Sequence, residues 1–211
     1  MSPTDPAVEP LAERTAALGD RLRDLACLPT LSSPRARLRG PKDDDVDAVY
    51  ALFSDPESMR YWSRPPMRQR REAEAYLESI PRGVTERSYL NWIIADPGDD
   101  RMIGTCTLYD LQVPHLRAGV GYALLTEARG RGLATDAVGL ALRYAFGQLG
   151  LNRIEADAHP DNERSRLLLQ RLGFQFEGRL RQRFGTGVEI QDSAIYGLLA
   201  EEWRRHWQTA G

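Results

Sequence analysis

The sequence predicts an α/β fold in which strands and helices alternate around one sheet. Three observations predict it. From Arg35 onward, short apolar runs of strand character alternate with segments whose apolar residues recur at helical spacing. One pair of runs, "YLNWIIA" and "RMIGTCTLY", is joined by the turn "DPGDD" and reads as an antiparallel hairpin. The 211 residues, 42% hydrophobic and 27% charged, supply one full core rather than two.

Residues 1–30 stand apart from the alternation. "MSPTDPAVEP" is a loose lead-in. Leu11, Leu18, Leu22 and Leu25 then recur at helical spacing and Pro29 ends the pattern, so the leader is expected to be helical over 8–27. It is either an appended helix docked on the main domain or a second subunit, or a frayed leader. In the main domain, 31–208, "RARLRG" (35–40) is a short strand. "DDDVDAVYALF" (43–53) is a helix, with acids at its positive end and Val46, Val49, Tyr50 and Phe53 on one face. A second helix spans 68–79 through Ala73, Tyr76 and Leu77. The hairpin strands (89–95, 101–109) follow, then the loop "DLQVPHLR" and a strand "AGVGYALLT" (118–126). The segment "EARGRGLATDAVGLAL" opens a helix that runs to near Gly150, and "RIEADA" (153–158) is a strand. "NERSRLLLQRLG" (162–173) is a helix with Asn162 as N-cap and Gly173 as its stop. "FQFEGRL" (174–180) and "SAIYGLL" (193–199) are the last strands, before an amphipathic tail carrying Trp203 and Trp207.

Composition excludes several classes. The net charge of −2 lacks the basic excess of a nucleic-acid binder. The two cysteines, Cys27 and Cys106, offer no disulfide framework, and His115, His159 and His206 are too scattered for a metal cluster, so no metal is expected. The first residues show no basic stretch leading into an apolar one, and no run reaches the roughly 18 apolar residues of a membrane helix. The expectation is a cytoplasmic protein with no membrane partner.

The chemistry concentrates at a strand, then Arg129-Gly130-Arg131-Gly132-Leu133-Ala134, then a helix. Backbone N–H groups at a helix N-terminus are unpaired and carry about half a positive charge. Glycines let a phosphate approach the backbone closely, and arginines add charge. A Walker loop is absent, and the spacing Gly130-x-Gly132-x-Ala134 does not fit a dinucleotide fingerprint. Physics alone leaves a pyrophosphate site and a plain arginine-rich turn both open.

Arg129-x-x-Gly132-x-Ala134 resembles the R/Q-x-x-G-x-G/A signature of the GNAT N-acetyltransferases. "VGYALLTEARGRGLATDAV" (120–138) followed by "NERSRLLLQRLGFQFEG" (162–178) is similar to the RimJ/RimL-like branch, which acetylates protein N-terminal amines. The resemblance covers residues 31–205. It implies the GNAT fold: a mixed, mostly antiparallel sheet of about six to seven strands flanked by about four helices, here with an extra N-terminal helix. It implies acetyl-CoA as co-substrate. Leu124, Leu125 and Thr126 would bind its pantetheine arm through the backbone groups of Leu124 and Thr126, as an added strand. Arg129, Gly130, Arg131, Gly132, Leu133 and Ala134 would hold the pyrophosphate, with the Thr135 hydroxyl beside them. Asn162 would contact the pantetheine, although capping explains it equally. Ser165 would protonate the departing thiolate, or stand as a solvated hydroxyl.

One departure matters. The branch usually carries a glutamate base directly before its I-G-Y triplet, and this chain has Gly119 there. Asp110, His115, Asp157 and His159 are substitutes within reach; His159 would titrate near neutrality. An α-amine, with a pKa of about 7.7–8.0, is roughly one-tenth neutral at pH 7, so supplying the neutral form costs about 1–1.4 kcal/mol. A lysine amine, at about 10.4, costs about 4.6 kcal/mol. The missing acid therefore suits a protein N-terminal α-amine better than lysine. In "MRYWSRPPM" (59–67), Tyr61 and Trp62 are candidate peptide contacts and Arg60 and Arg64 candidate attractors of an acidic one, or else core and surface residues. Two rival readings are a small-amine acetyltransferase (polyamine or aminoglycoside) and a non-catalytic acyl-CoA-binding module. The chain is expected to be a monomer or homodimer.

Overall fold

The computed structural model describes residues 9–186 and 189–209. The leader forms α1 (Leu11–Arg23), with Leu18 and Leu22 buried. The Arg21 guanidinium donates to the Leu149 carbonyl (3.0 Å) and ties α1 to the main domain. The helix stops short of the expected end at residue 27, because the chain must turn to bring the Pro29 carbonyl to the Trp92 indole N–H (2.9 Å).

Two short strands follow, β1 (Leu31–Ser32) and β2 (Arg37–Arg39). The first is too brief to show a sequence period. After a 3-10 turn at Asp43–Asp45 comes α2 (Val46–Ser54), which buries Val49, Leu52 and Phe53. Asp45 does more than complement the helix dipole. It is buried and receives both Nη groups of Arg39, at 2.7 and 2.8 Å. A one-turn helix, α3 (Pro56–Met59), is capped by the Asp55 carboxylate, which accepts from the Glu57 and Ser58 N–H groups with Pro56 behind it.

Helix α4 (Arg70–Glu86) is longer than the predicted 68–79. Pro81 sits inside it and removes one intrahelical donor, yet Leu77, Ile80 and Val84 continue one buried face past it, and that burial carries the helix on. Next come β3 (Tyr89–Ala95), β4 (Met102–Gln112) and β5 (Arg117–Leu124). Helix α5 (Leu133–Arg143) continues through a π-helical turn, Tyr144–Leu149, to Gly150. The chain closes with β6 (Arg153–Ala158), α6 (Glu163–Arg171), β7 (Gln175–Gly185), β8 (Ile190–Leu199) and α7 (Ala200–Thr209).

The eight strands form one sheet in the order β1-β2-β3-β4-β5-β6-β8-β7. The β5–β6 pair alone is parallel, and it is short: Arg117–Gly119 pairs with Arg153–Glu155, and beyond that the strands part. From there β5 stays with β4 and β6 with β8, so a gap opens in the middle of the sheet. Successive side chains of a strand face opposite ways, which fixes the two walls. Tyr89 and Asn91 face α4: the Tyr89 ring lies against Gly83, and the Tyr76 hydroxyl accepts from the Asn91 amide (2.7 Å). Trp92 and Tyr122 face the other way, toward Tyr144 and α6. Described strands number eight against the expected six to seven, and described α-helices seven, because β1, α3 and α7 add to the central set.

Candidate active site

On the α5 side of the gap, Gly130 and Gly132 both hold left-handed backbone, with φ of +75° and +77°. Any other residue would be strained there. Gly132 is the N-cap of α5 and has no side-chain acceptor, so the first N–H groups of the helix are left for a ligand. Leu133, Ala134 and Thr135 form that first turn and line a cleft of about 860 Å³ together with Leu124, Thr126, Arg129, Gly130 and Gly132. The same cleft takes in Asn162 and Ser165 from α6 and Ser58, Tyr61 and Trp62 from around α3.

Two predicted cofactor residues fall elsewhere. The Leu125 N–H donates to the Ile103 carbonyl (2.9 Å), continuing the β4 ladder, so the alternate residues Leu124 and Thr126 turn to the cleft. Arg131 is exposed and does not line it; its carbonyl accepts from the Arg35 guanidinium. Arg129 lines the cleft but is already engaged. Its Nε donates to the Leu124 carbonyl (3.1 Å) and its Nη2 to the Ser58 hydroxyl. The Leu124 carbonyl, expected to receive the pantetheine, thus already accepts one bond from Arg129 and keeps its second lone pair for the arm. The α3 turn that supplies Ser58 was missed, although Asp55-Pro56 is a helix-start signal.

Ser165 Oγ lies 2.8 Å from Tyr122 Oη. The Asn162 side chain accepts from the Ser165 N–H (3.1 Å), so it caps α6 and fixes the serine at once. Desolvation pushes the Tyr122 pKa well up, with Ser165 opposing, so the phenol keeps its proton at any working pH. Tyr122 is part of the site.

His159 is placed differently from expectation. Its Nδ1 accepts from the Asp161 N–H (3.1 Å), and its ring stacks on Tyr61 (centroids 4.8 Å apart, 23° between planes). It does not line the cleft and acts as a prop for Tyr61, whose hydroxyl donates to the Asp161 carbonyl (3.5 Å). Arg64 turns inward, with its guanidinium 4.5 Å from the Phe53 ring centroid, and burial lowers its pKa. Trp62 packs edge-on against Phe53 (5.4 Å). Of the "MRYWSRPPM" residues, Arg60, Tyr61 and Trp62 line the cleft and are left to meet an acceptor.

The opposite wall explains Gly119. A Cβ there would come within 2.5 Å of the Tyr109 ring, which lies across Gly119 from its cross-strand position on β4. The tyrosine fills the space a glutamate would use. Burial and the nearby carboxylates of Asp157, Glu155 and Asp110 push the Tyr109 pKa up to about 12, so it is no base at neutral pH. Asp110 is bridged to Arg117 (3.2 Å), and Glu155 to Arg117 (2.5 Å) and Arg153 (2.8 Å).

The comparisons give the family and the fold. Residues 35–175 match the Acetyltransferase (GNAT) domain family, so the chain belongs to the GNAT acetyltransferases. It is similar to the N-acetyltransferase YoaA of Bacillus subtilis (strain 168), 32% identical over 171 residues, covering 81% of this chain and 97% of the relative. It is also similar to the spermidine N(1)-acetyltransferase of Escherichia coli (strain K12), 28% identical over 183 residues, covering 85% and 94%. Mycobacterium smegmatis RimJ in complex with CoA-disulfide shares the fold, with a TM-score of 0.74 at 22% identity over 87% of this chain and 94% of that one. The protein is an N-acetyltransferase that uses acetyl-CoA. No described helix is long and apolar enough to cross a membrane.

The residues present fit that co-substrate. The positive-φ glycines and the uncapped α5 N-terminus suit a pyrophosphate, and the open side of Leu124–Thr126 suits an extended amide-bearing arm. When bound, acetyl-CoA supplies an activated acetyl thioester.

Proposed function

We propose that this enzyme acetylates the α-amine of a protein or peptide N-terminus by direct attack. Gly130 and Gly132, with the first turn of α5, hold the pyrophosphate; Leu124 and Thr126 align the arm; and Arg129 locks the end of β5 to α3. Ser165 donates a proton to the departing sulfur, and Tyr122, protonated and 2.8 Å away, resupplies it. Asn162 positions Ser165 through its N–H.

One observation carries the choice of acceptor. On the Gly119 wall, Asp110 and Glu155 are each bridged to arginine. A polyamine carries a second ammonium that needs a carboxylate of its own; these two are neutralised already, and Asp157, the remaining carboxylate of this wall, can meet only a single amine. An N-terminal amine brings one cationic group, and its low pKa removes most of the cost of deprotonation. The test is release of CoA thiol with three acceptors at pH 7: a peptide with a free N-terminus, spermidine, and an Nα-blocked lysine peptide. The peptide N-terminus is expected to react fastest. Faster turnover of spermidine would move the enzyme to the small-amine class, and CoA binding without turnover of any amine would make it a binding module.

A further inference from the structure

With the expected glutamate replaced by Gly119 and its space filled by Tyr109, the reaction still needs a proton acceptor on the acceptor side of the gap. We propose that Asp157 is that general base, acting from the wall opposite Gly119. The inference rests on the acetyltransferase reading above and adds a residue to it.

The register places it. Gly119 and Glu155 are the last paired residues before β5 and β6 part. Asp157 lies two residues further along β6, on the same face as Glu155 and on the gap edge. Gly121 holds the matching place on β5, with the Tyr109 ring 3.6 Å from where its Cβ would be. Asp157 and Gly121 thus face each other across the opening. Neither glycine carries a side chain into the opening, and the Tyr109 ring lies against both.

The surroundings suit the role. Asp157 is exposed; it lies outside the lining of the cofactor cleft, on the Tyr109 face of the sheet, so an amine entering from that face can reach it. The buried Ser193 hydroxyl, from β8, donates to Oδ1, which orients the carboxylate and leaves Oδ2 for the substrate. The charged and titratable groups around it are Tyr109 and Asp110 on β4, Glu155 beside it on β6, and Arg183 on β7. Asp110 and Glu155 are held by arginines, and Tyr109 keeps its proton. Among the described residues Asp157 has no ion-pair partner. Partial desolvation raises its pKa above the ordinary carboxylate range, with Arg183 opposing, which makes it a stronger base than a solvated aspartate.

The step balances. As the new N–C bond forms and the C–S bond breaks, the amine proton passes to Asp157 Oδ2. The sulfur takes its proton from Ser165.

The test is Asp157→Asn and Asp157→Glu in the full chain. Asn keeps an oxygen for the Ser193 hydroxyl but cannot take a proton. For Asp157→Asn, kcat should fall by about 10²–10⁴-fold. The acidic limb of its pH–rate profile should vanish, while CoA affinity by calorimetry stays at the wild-type value. Asp157→Glu should recover part of the rate. The melting temperature is an independent readout. A carboxylate whose pKa is raised in the fold contributes stability below its unfolded pKa, and that contribution is lost as pH rises through the folded pKa. At pH 7.5 the charged form therefore opposes folding, and Asp157→Asn should melt at the wild-type temperature or above. A kcat within threefold of wild type would overturn the proposal. So would a lowered melting temperature together with weak CoA binding that Asp157→Glu does not restore, since that pattern marks a structural residue. If spermidine proves the better acceptor, the variants are measured with spermidine; the acceptor reading then fails while Asp157 is still tested. Turnover of no amine overturns both.

Discussion

The two walls of the gap are built on different plans. The cofactor wall is made of backbone. Gly130, Gly132 and the first turn of α5 come from one short stretch, and what they offer is N–H groups in left-handed turns. The acceptor wall is made of side chains from four strands: Tyr109 from β4, Glu155 and Asp157 from β6, Arg183 from β7 and Ser193 from β8. A backbone cradle is insensitive to most side chains and fails where a glycine is lost. A side-chain wall can exchange one carboxylate for another in a new position, as Gly119 and Asp157 suggest. Changes at the two walls should therefore separate cleanly into binding and rate.

The largest contrast after Asp157 should come from Ser165→Ala. It removes the proton donor and leaves the Asn162 cap on the backbone N–H, so kcat should fall by up to about 10²-fold, the lower end for proton transfer, with CoA affinity unchanged in calorimetry. Gly132→Val should do the reverse. Its φ of +77° is forbidding to a β-branched residue, and the Arg35 guanidinium lies 3.1 Å from the new Cβ. About 1–3 kcal/mol of strain should weaken CoA binding roughly 5–150-fold, with kcat at saturation close to wild type.

Gly119→Glu tests whether the expected base can simply be put back. The new Cβ would sit 2.5 Å from the Tyr109 ring, so the variant should lose about 1–3 kcal/mol of stability in urea denaturation and gain no rate. Adding Tyr109→Ala should relieve the clash. In that double variant the new carboxylate should make Asp157→Asn far less harmful, a non-additivity that a double-mutant cycle reads directly. The smallest effect belongs to Tyr122→Phe. It removes one hydrogen bond to Ser165 and should cost about 0.5–1.5 kcal/mol in activation free energy, read as a roughly 2–12-fold fall in kcat.

These plans also explain what the sequence could show. The cofactor wall was legible because its parts are contiguous and its chemistry depends on glycine spacing at a helix start. Tyr89–Ala95 was legible because both its faces are buried, and Arg153–Ala158 because buried Ile154, Ala156 and Ala158 alternate with more exposed residues; both runs are bounded by turns. β1, with two residues, carries no period to read. α4 outran its predicted end because burial of Ile80 and Val84 outweighs the donor lost at Pro81, a tertiary effect. The acceptor wall was hidden for the same reason. That Tyr109 covers Gly119 follows from the β4–β5 register, and that His159 props Tyr61 instead of facing the cleft follows from the meeting of the segments after α3 and after β6. Neither is written in local spacing.

The acceptor claim is tested most directly by internal competition. One peptide carrying both a free N-terminus and an internal lysine is incubated with acetyl-CoA and enzyme at pH 7, with equimolar spermidine present, and the products are mapped by tandem mass spectrometry. The account predicts that the acetyl group lands on the peptide α-nitrogen, with the lysine Nζ and spermidine largely unmodified. Acetyl groups predominantly on spermidine, or equally on Nζ and the α-nitrogen, would contradict it.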